Sequence, residues 1–452
     1  MEKPFQVGST QYYFWEDAAS AAKASSEMIV LLMDYTLPDT MLNAGVTSTG
    51  GAYISGSDGN LTYIIPKGVT FLIPYDDAYT LCTTAPTVDN SIDVDAKYSN
   101  PTAYRTLTMG SGTNILVNGA MSLSGTHCAN MCNGTFNGAP IGKLGFVDMQ
   151  ENSNITVSGG ANLYVWGYIT GGGTVTIKSN GTVYEDFQIT DYRGGNATSG
   201  MKDNSYRVFP LSQYYVQNVQ VPMTLEAGAA ENGYMSVDVS YVGTQSATVP
   251  FIGSEAMFQI QSGSITKDYN EENDRLEIDV NGTLLMSNYK INIKVAVLGN
   301  VELKTENYVL PVNGNITVNV ASGSTLKIAQ DISLYPGAII DIAPEARCEL
   351  INGASMYVYD VDQWGGYCGA ANRKICPVVY APGRQKTRGE SDLVDAKILV
   401  NGALDATNGY IYTTTSGGNI CSTGTGPAII AAKSDATLYQ AIQTGNAIED
   451  SG

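Results

Sequence analysis

The side chains in this chain that could do chemistry come in small sets. Asp360 and Asp362 lie two apart in "YDVDQW", Asp93 and Asp95 two apart in "SIDVDAKY", Asp76 and Asp77 are adjacent, and Arg193 stands in "DYRGGN". On a strand, residues two apart point to the same side. That is the arrangement paired carboxylates need to share a cation or to divide acid and base duties on a sugar. Asp360 and Asp362, with Arg193 as a base, are the set that a polysaccharide lyase or glycoside hydrolase would use. Against this, the chain has 43 acidic residues, enough for such pairs to arise by chance, and no signature surrounds them. His127 is the single histidine, so no Ser/His/Asp set can be assembled and a zinc site around Cys128-Ala-Asn-Met-Cys132 is short of ligands. Gly171-Gly172-Gly173 falls between predicted strands and reads as a turn, not as a phosphate cradle before a helix.

A second set is aromatic. In "ANLYVWGYITGGGTVTIKSNGTVYE" (Ala161–Glu185), Leu163, Val165, Ile169, Val175, Ile177 and Val183 alternate with Tyr164, Trp166, Tyr168 and Tyr184. If the aliphatic residues face a core, the aromatic ones face out. The same parity turns Tyr357 and Tyr359 outward against Met356 and Val358, and Tyr410 and Tyr412 outward against Ile411. The chain has 29 tyrosines and nine phenylalanines, which favours rings with a wet edge. Tyr164, Trp166, Tyr168, Tyr357, Tyr359 and Trp364 are therefore candidates for binding a sugar or a protein surface. The competing expectation is that such tyrosines stack strand on strand and only stabilise; Trp364, in "DVDQWGGY", would as readily pin a loop.

These residues need elements to hold them. A turn of small residues followed by alternating aliphatics recurs as "VNGAMSLSG", "SGGANLYVWG", "SNGTVYE", "SGSTLKIAQ", "PGAIIDIAP", "INGASMYVYD" and "VNGALDATNG". Repetition at about 20 residues marks a solenoid. Asn-Gly and Gly-Gly turns permit positive φ, and no segment between the turn glycines reads as a long amphipathic helix. The expected fold is all-β: a right-handed parallel β-helix, with an N-terminal capping helix at Glu16–Ser26, whose apolar face is Trp15, Ala18, Ala19 and Ala22, and a buried strand at Met28–Met33. A short helix is expected at Ala436–Ile442. From about Phe209 to Asn300 the turns thin out and longer alternating runs suit antiparallel hairpins, with Lys267–Arg275, "KDYNEENDR", as an exposed turn. Residues 1–208 and 301–452 are thus assigned to the β-helix, and residues 209–300 to a β-rich insertion or, alternatively, to wider coils.

Composition narrows the partners. The net charge of −19 repels nucleic acid and anionic membranes, and no apolar run approaches the length of a membrane span. No cofactor is required; Ca²⁺ is the one cation that the acidic side chains would suit. The seven cysteines, Cys82, Cys128, Cys132, Cys348, Cys368, Cys376 and Cys421, are odd in number in a long chain, which is not the pattern of a small disulfide scaffold; they read as buried or locally bridged thiols, with Cys128 and Cys132 as a local bridge or half of a metal site. Asn372–Glu390 gathers Arg373, Lys374, Arg384, Lys386 and Arg388 in an otherwise acidic chain and reads as an exposed loop.

The entry segment "VGSTQYYFWEDAASAAKASSEMIVLLMDYTL" (Val7–Leu37), followed by these glycine-punctuated coils, resembles the β-helix repeat modules of large surface proteins from Gram-positive gut bacteria, of the pectin-lyase-like type. The resemblance covers most of Val7–Asp186 and Leu310–Ile430. It implies an extracellular or cell-surface fragment of a longer chain, non-catalytic, with adhesive or structural work to do on a host glycan or protein. It brings no catalytic residues with it.

Overall fold

The computed structural model describes residues 2–37, 51–53, 60–73, 105–123, 125–128, 131–132, 135–136, 141–165, 168–186, 191–192, 208–209, 219–241, 245–252, 258–270, 275–287, 290–297, 300–307, 310–312, 316–334, 337–358, 396–412, 429–432 and 437–439. The protein is all-β apart from one helix among the described residues, and its strands gather into a large, mostly parallel sheet. Along the chain the strands fall in a repeating order on three parallel ladders. Asn114–Val117, Ala120–Leu123 and Ile141–Met149 are followed by Asn154–Val157, Asn162–Val165 and Tyr168–Gly171, then by Thr174–Ile177 and Thr182–Asp186. Each strand pairs in parallel with its counterpart one round later: Asn114 with Asn154, Asn154 with Thr174, Ala120 with Asn162, Phe146 with Tyr168.

The strands are short because the chain turns after every four residues or so, and the pattern of one buried and one half-buried residue repeats along each. Inward side chains therefore sit over one another. On the first ladder Ile115, Ile155, Val175 and Met223 form one such column; on the second, Phe71, Met121, Leu163 and Val183 form another. Stacking aliphatic on aliphatic removes both faces of every residue from water, and each fully buried side chain contributes roughly 1.5–3 kcal/mol. Half-buried positions at the strand starts are tied as well: Asn154 donates from Nδ2 to Asn114 Oδ1 at 3.2 Å. After residue 310 the first two ladders continue with Ile316–Val320 and Thr325–Ile328, and a separate four-stranded parallel sheet, Leu310–Val312, Ile332–Leu334, Ser355–Val358 and Tyr410–Tyr412, takes the third place in the order. There Cys348 lies between Leu326 and Leu404 as a core residue, its thiol pushed up to about 12 by burial first and then by Glu349.

Helix α1 (Trp15–Ser25) lies against the first strands. Of the expected face, Trp15, Ala18 and Ala22 are buried and Ala19 is partly buried, and Glu16 and Asp17 in the first turn and Lys23 in the last complement its dipole. Trp15 meets Tyr63, an early rung of the first ladder, at 6.5 Å between ring centroids. The expected strand at Met28–Met33 is shorter, Ile29–Leu31; it pairs antiparallel with Phe5–Val7 and parallel with the first ladder, while Met28 and Leu32 are exposed. The end expected to be helical is a strand where it is described: Thr437–Tyr439 pairs in parallel with Ala403–Asp405, because each inter-strand bond there extends a ladder that already exists.

The long alternating runs between residues 209 and 307 form antiparallel hairpins: Ala230–Tyr241 with Gln245–Ile252, Phe258–Asn270 with Arg275–Met286, and Lys290–Val297 with Asn300–Asn307. The middle hairpin joins the two runs of parallel strands. Phe258–Asn270 runs against Met223–Glu226 on the first ladder and against Ala230 and Glu231 on the second. Its partner Arg275–Met286 restores the original direction and pairs in parallel with Ile316–Val320 and Thr325–Ile328. Each strand of this hairpin thus serves two ladders and turns a corner midway. Gly263 and Gly282 face each other at that corner, with φ of 70° and 142°. A Cβ on Gly263 would stand 1.9 Å from the Asn281 carbonyl oxygen, so no larger residue fits while the strands stay paired.

Candidate functional site

Two sets of side chains stand out, back to back on the second ladder. On its outer side Ser122, Tyr164, Tyr184 and Asn232 follow one another in register. Tyr164 and Tyr184 are half-buried and stacked, with ring centroids 4.6 Å apart and planes 17° from parallel. That separation is close to the spacing of neighbouring strands, so the backbone ladder sets the stack. Burial raises both phenols above their ordinary range, and Tyr164 adds to the effect on Tyr184. Tyr164 is thus where the sequence places it. Tyr168 and Tyr357 lie in strands Tyr168–Gly171 and Ser355–Val358, but the structure does not describe their side chains. Trp166, Tyr359, Trp364, Asp360, Asp362 and Arg193 lie outside the described residues.

On the inner side of the same strands is a set that sequence reasoning did not assemble. Lys267 Nζ lies 2.8 Å from Glu231 Oε1 and 3.2 Å from Glu185 Oε1, and all three side chains are at most 1% exposed. Lys267 is a strand residue buried in the core, not part of an exposed turn. It occupies the aliphatic column of the first ladder, between Met223 and Ile278. Glu231 occupies the facing column of the second ladder, between Val183 and Phe258, and Glu185 continues the line of Leu123 and Val165. The second carboxylate oxygens, Glu185 Oε2 and Glu231 Oε2, are buried without a hydrogen-bond partner. Burial pushes the Glu231 carboxyl up to about 7; the Lys267 charge opposes this and the Glu185 charge adds to it. With Glu231 protonated the trio is neutral, the state that a low-dielectric interior favours.

Parity was the signal that could have found this set. Lys267 has the parity of the buried Ile265, and Glu185 that of Val183. Charge overrode parity in the reading, because a lysine among "KDYNEENDR" looks solvated until its carboxylates, 36 and 82 residues away in the chain, are known to meet it.

No family model matches the chain, and no curated protein matches it significantly. Among the described residues no cluster of three or more His, Cys, Asp or Glu is arranged to hold a metal, and no helix is long and apolar enough to cross a membrane.

Proposed function

We propose that this chain is a right-handed parallel β-helix that works as an extracellular adhesion or structural module of a bacterial surface protein, and that it presents outward tyrosines to a host glycan or protein. The cyclic order of strands over three ladders supports the winding, since a chain that visits three faces in turn and returns one strand higher describes a coil. The observation that carries the binding role is the Tyr164–Tyr184 stack. Two rings held 4.6 Å apart by a hydrogen-bonded ladder form a preorganised platform with hydroxyls at its edge, so little conformational entropy is lost when a ligand docks. The resemblance to surface β-helix modules points to the same role. A host glycan array and a host-protein binding screen, run with the native chain and with Tyr164→Ala/Tyr184→Ala, test it. The expected result is a ligand whose affinity falls by about tenfold or more in the double variant, about 1.4 kcal/mol. Equal binding by both proteins would leave the tyrosines as ladder stabilisers and remove the proposal.

A further inference from the structure

We propose that the Glu185–Glu231–Lys267 site modifies itself: Lys267 Nζ condenses with the side-chain carboxyl of Glu231 to form an amide, Glu185 carries the protons, and the product is a covalent cross-link inside the core. The geometry is that of two reactants stored side by side. Lys267 Nζ lies 2.8 Å from Glu231 Oε1, the oxygen bonded to the carbon it would attack, and the strands Thr182–Asp186, Ala230–Tyr241 and Phe258–Asn270 hold the three side chains together. Holding reactants in this way removes most of the entropic barrier to a two-body step. Exclusion of water removes the other obstacle, since in bulk solvent hydrolysis opposes condensation; here all three groups are sealed among Met223, Ile278, Val183 and Phe258. Low polarity also favours the neutral amine and neutral acid, which are the reactive forms.

The step balances without any outside reagent. With Glu231 as the acid, Glu185 first takes one proton from the Lys267 ammonium. The freed lone pair on Nζ adds to Cδ of Glu231, and the carbonyl electron pair moves onto oxygen. Through Glu185 a second proton passes from nitrogen to the departing hydroxyl, which leaves as water. One C–N bond has formed and one C–O bond has broken, nothing is oxidised or reduced, and Glu185 ends holding the first proton. Glu185 Oε2 and Glu231 Oε2, both buried without a partner, are free to serve as the relay oxygen and the departing oxygen. The link ties the reversed strand of the central hairpin to the second ladder and holds together the place where strand direction changes.

The test is the intact mass of the purified full chain beside that of Lys267→Met, with fold checked by circular dichroism. The native chain is expected to fall short of its sequence mass by one water, and Lys267→Met to show its full mass. Proteolysis of the native chain should yield a branched peptide that joins the segment around Glu231 to the segment around Lys267. Glu185→Gln, with the strand spectrum retained, should show its full mass or gain the link more than tenfold more slowly. A native chain at full mass overturns the proposal and needs no variant to do so. A water deficit that survives in Lys267→Met, or a branch mapped to Glu185, overturns it as well.

Discussion

From residue 105 to residue 177 the three ladders pair in parallel and their inner columns are apolar, whereas beside the hairpin Phe258–Asn270/Arg275–Met286 one strand runs backwards and the inner columns carry Lys267, Glu185 and Glu231. The difference shows what each arrangement leaves unspecified. A parallel stack repeats, so any inward aliphatic packs against the next and register follows from the turns. A reversed strand meets its neighbours through a different hydrogen-bond pattern, and a slip of one residue would exchange its two faces. In that slipped state Lys267 would leave the core, Thr266 and Asp268 would enter it, and Glu185 and Glu231 would stay buried without a cation. The trio is poorly suited to raising stability, since a well-packed apolar set at the same place is often as good or better. It is well suited to making one register far better than the next.

The largest effect expected from breaking this comparison is that of Lys267→Ala. It leaves the buried Glu185 and Glu231 carboxyl groups without their nitrogen partner and should destabilise the junction by about 3–5 kcal/mol. Because repeat stacks open locally, the effect should be read by hydrogen exchange. Amides of Phe258–Asn270 and Arg275–Met286 should lose protection first, while those of Asn154–Val157 and Ile339–Ile342 keep theirs. A uniform loss over all ladders would contradict the idea that the trio acts at the seam.

Next in size is a pair of glycine substitutions. Gly263→Ala places a methyl group against the Asn281 carbonyl at a corner where two strands turn together, so strain at positive φ adds to overpacking and the cost should be about 2–4 kcal/mol. Gly160 also has positive φ, 77°, but it lies in a turn of the parallel stack with nothing within 4 Å of a Cβ. Gly160→Ala should therefore cost only about 1–2 kcal/mol, the conformational part alone. Equal losses of denaturation midpoint in the two variants would mean that close approach at the corner does not matter.

The same contrast explains what the sequence made legible. The parallel ladders announce themselves because spacing, turn chemistry and alternation agree within a short window: "SGGANLYVWG" already contains the turn at Gly160, the inward Leu163 and Val165, and the outward Tyr164. The helix was equally plain, shifted by one residue, since Trp15, Ala18 and Ala22 are a local pattern. At Thr437–Tyr439 the local pattern suggests a helix, but a ladder that recruits the segment overrides its local propensity. The junction was hidden for a related reason. Its long alternating runs show hairpins, but the partners of Lys267 are set by the order in which distant strands stack, which no window contains. The stack of Tyr184 on Tyr164 likewise follows from register between rounds; the sequence shows only that both rings face outward.

A milder substitution asks whether the parallel columns are packed as tightly as they look. Ile155→Val removes one methylene between Ile115 and Val175 and should cost about 1 kcal/mol. A loss near zero would mean that the column relaxes around the gap, as a loosely packed stack could and a close-packed one cannot.

The smallest effect sharpens the comparison by placing charge pairing at the partly exposed surface instead of in the core. Asp405, on the outer side of the second ladder, accepts hydrogen bonds from Thr407 Oγ1 at 2.7 Å and Thr407 N at 3.0 Å, and pairs with Arg347 at 2.5 Å. Thr407 first, and Arg347 after it, hold the Asp405 carboxyl below its usual range, with partial burial opposing them. A carboxyl depressed in the folded state binds fewer protons there than in the unfolded chain, so it contributes stability above the ordinary aspartate range, near pH 4, and loses that contribution as pH falls through the lower folded value. For a pair whose arginine is well exposed and whose aspartate is partly so, the contribution should be about 0.5 kcal/mol, against several for the buried trio. Asp405→Asn should therefore lower stability slightly at neutral pH, and the difference from the native chain should vanish in acid. If the difference grew as pH fell, the outer pair would be acting through packing rather than charge, and the line drawn between partly exposed and fully buried pairs would not hold.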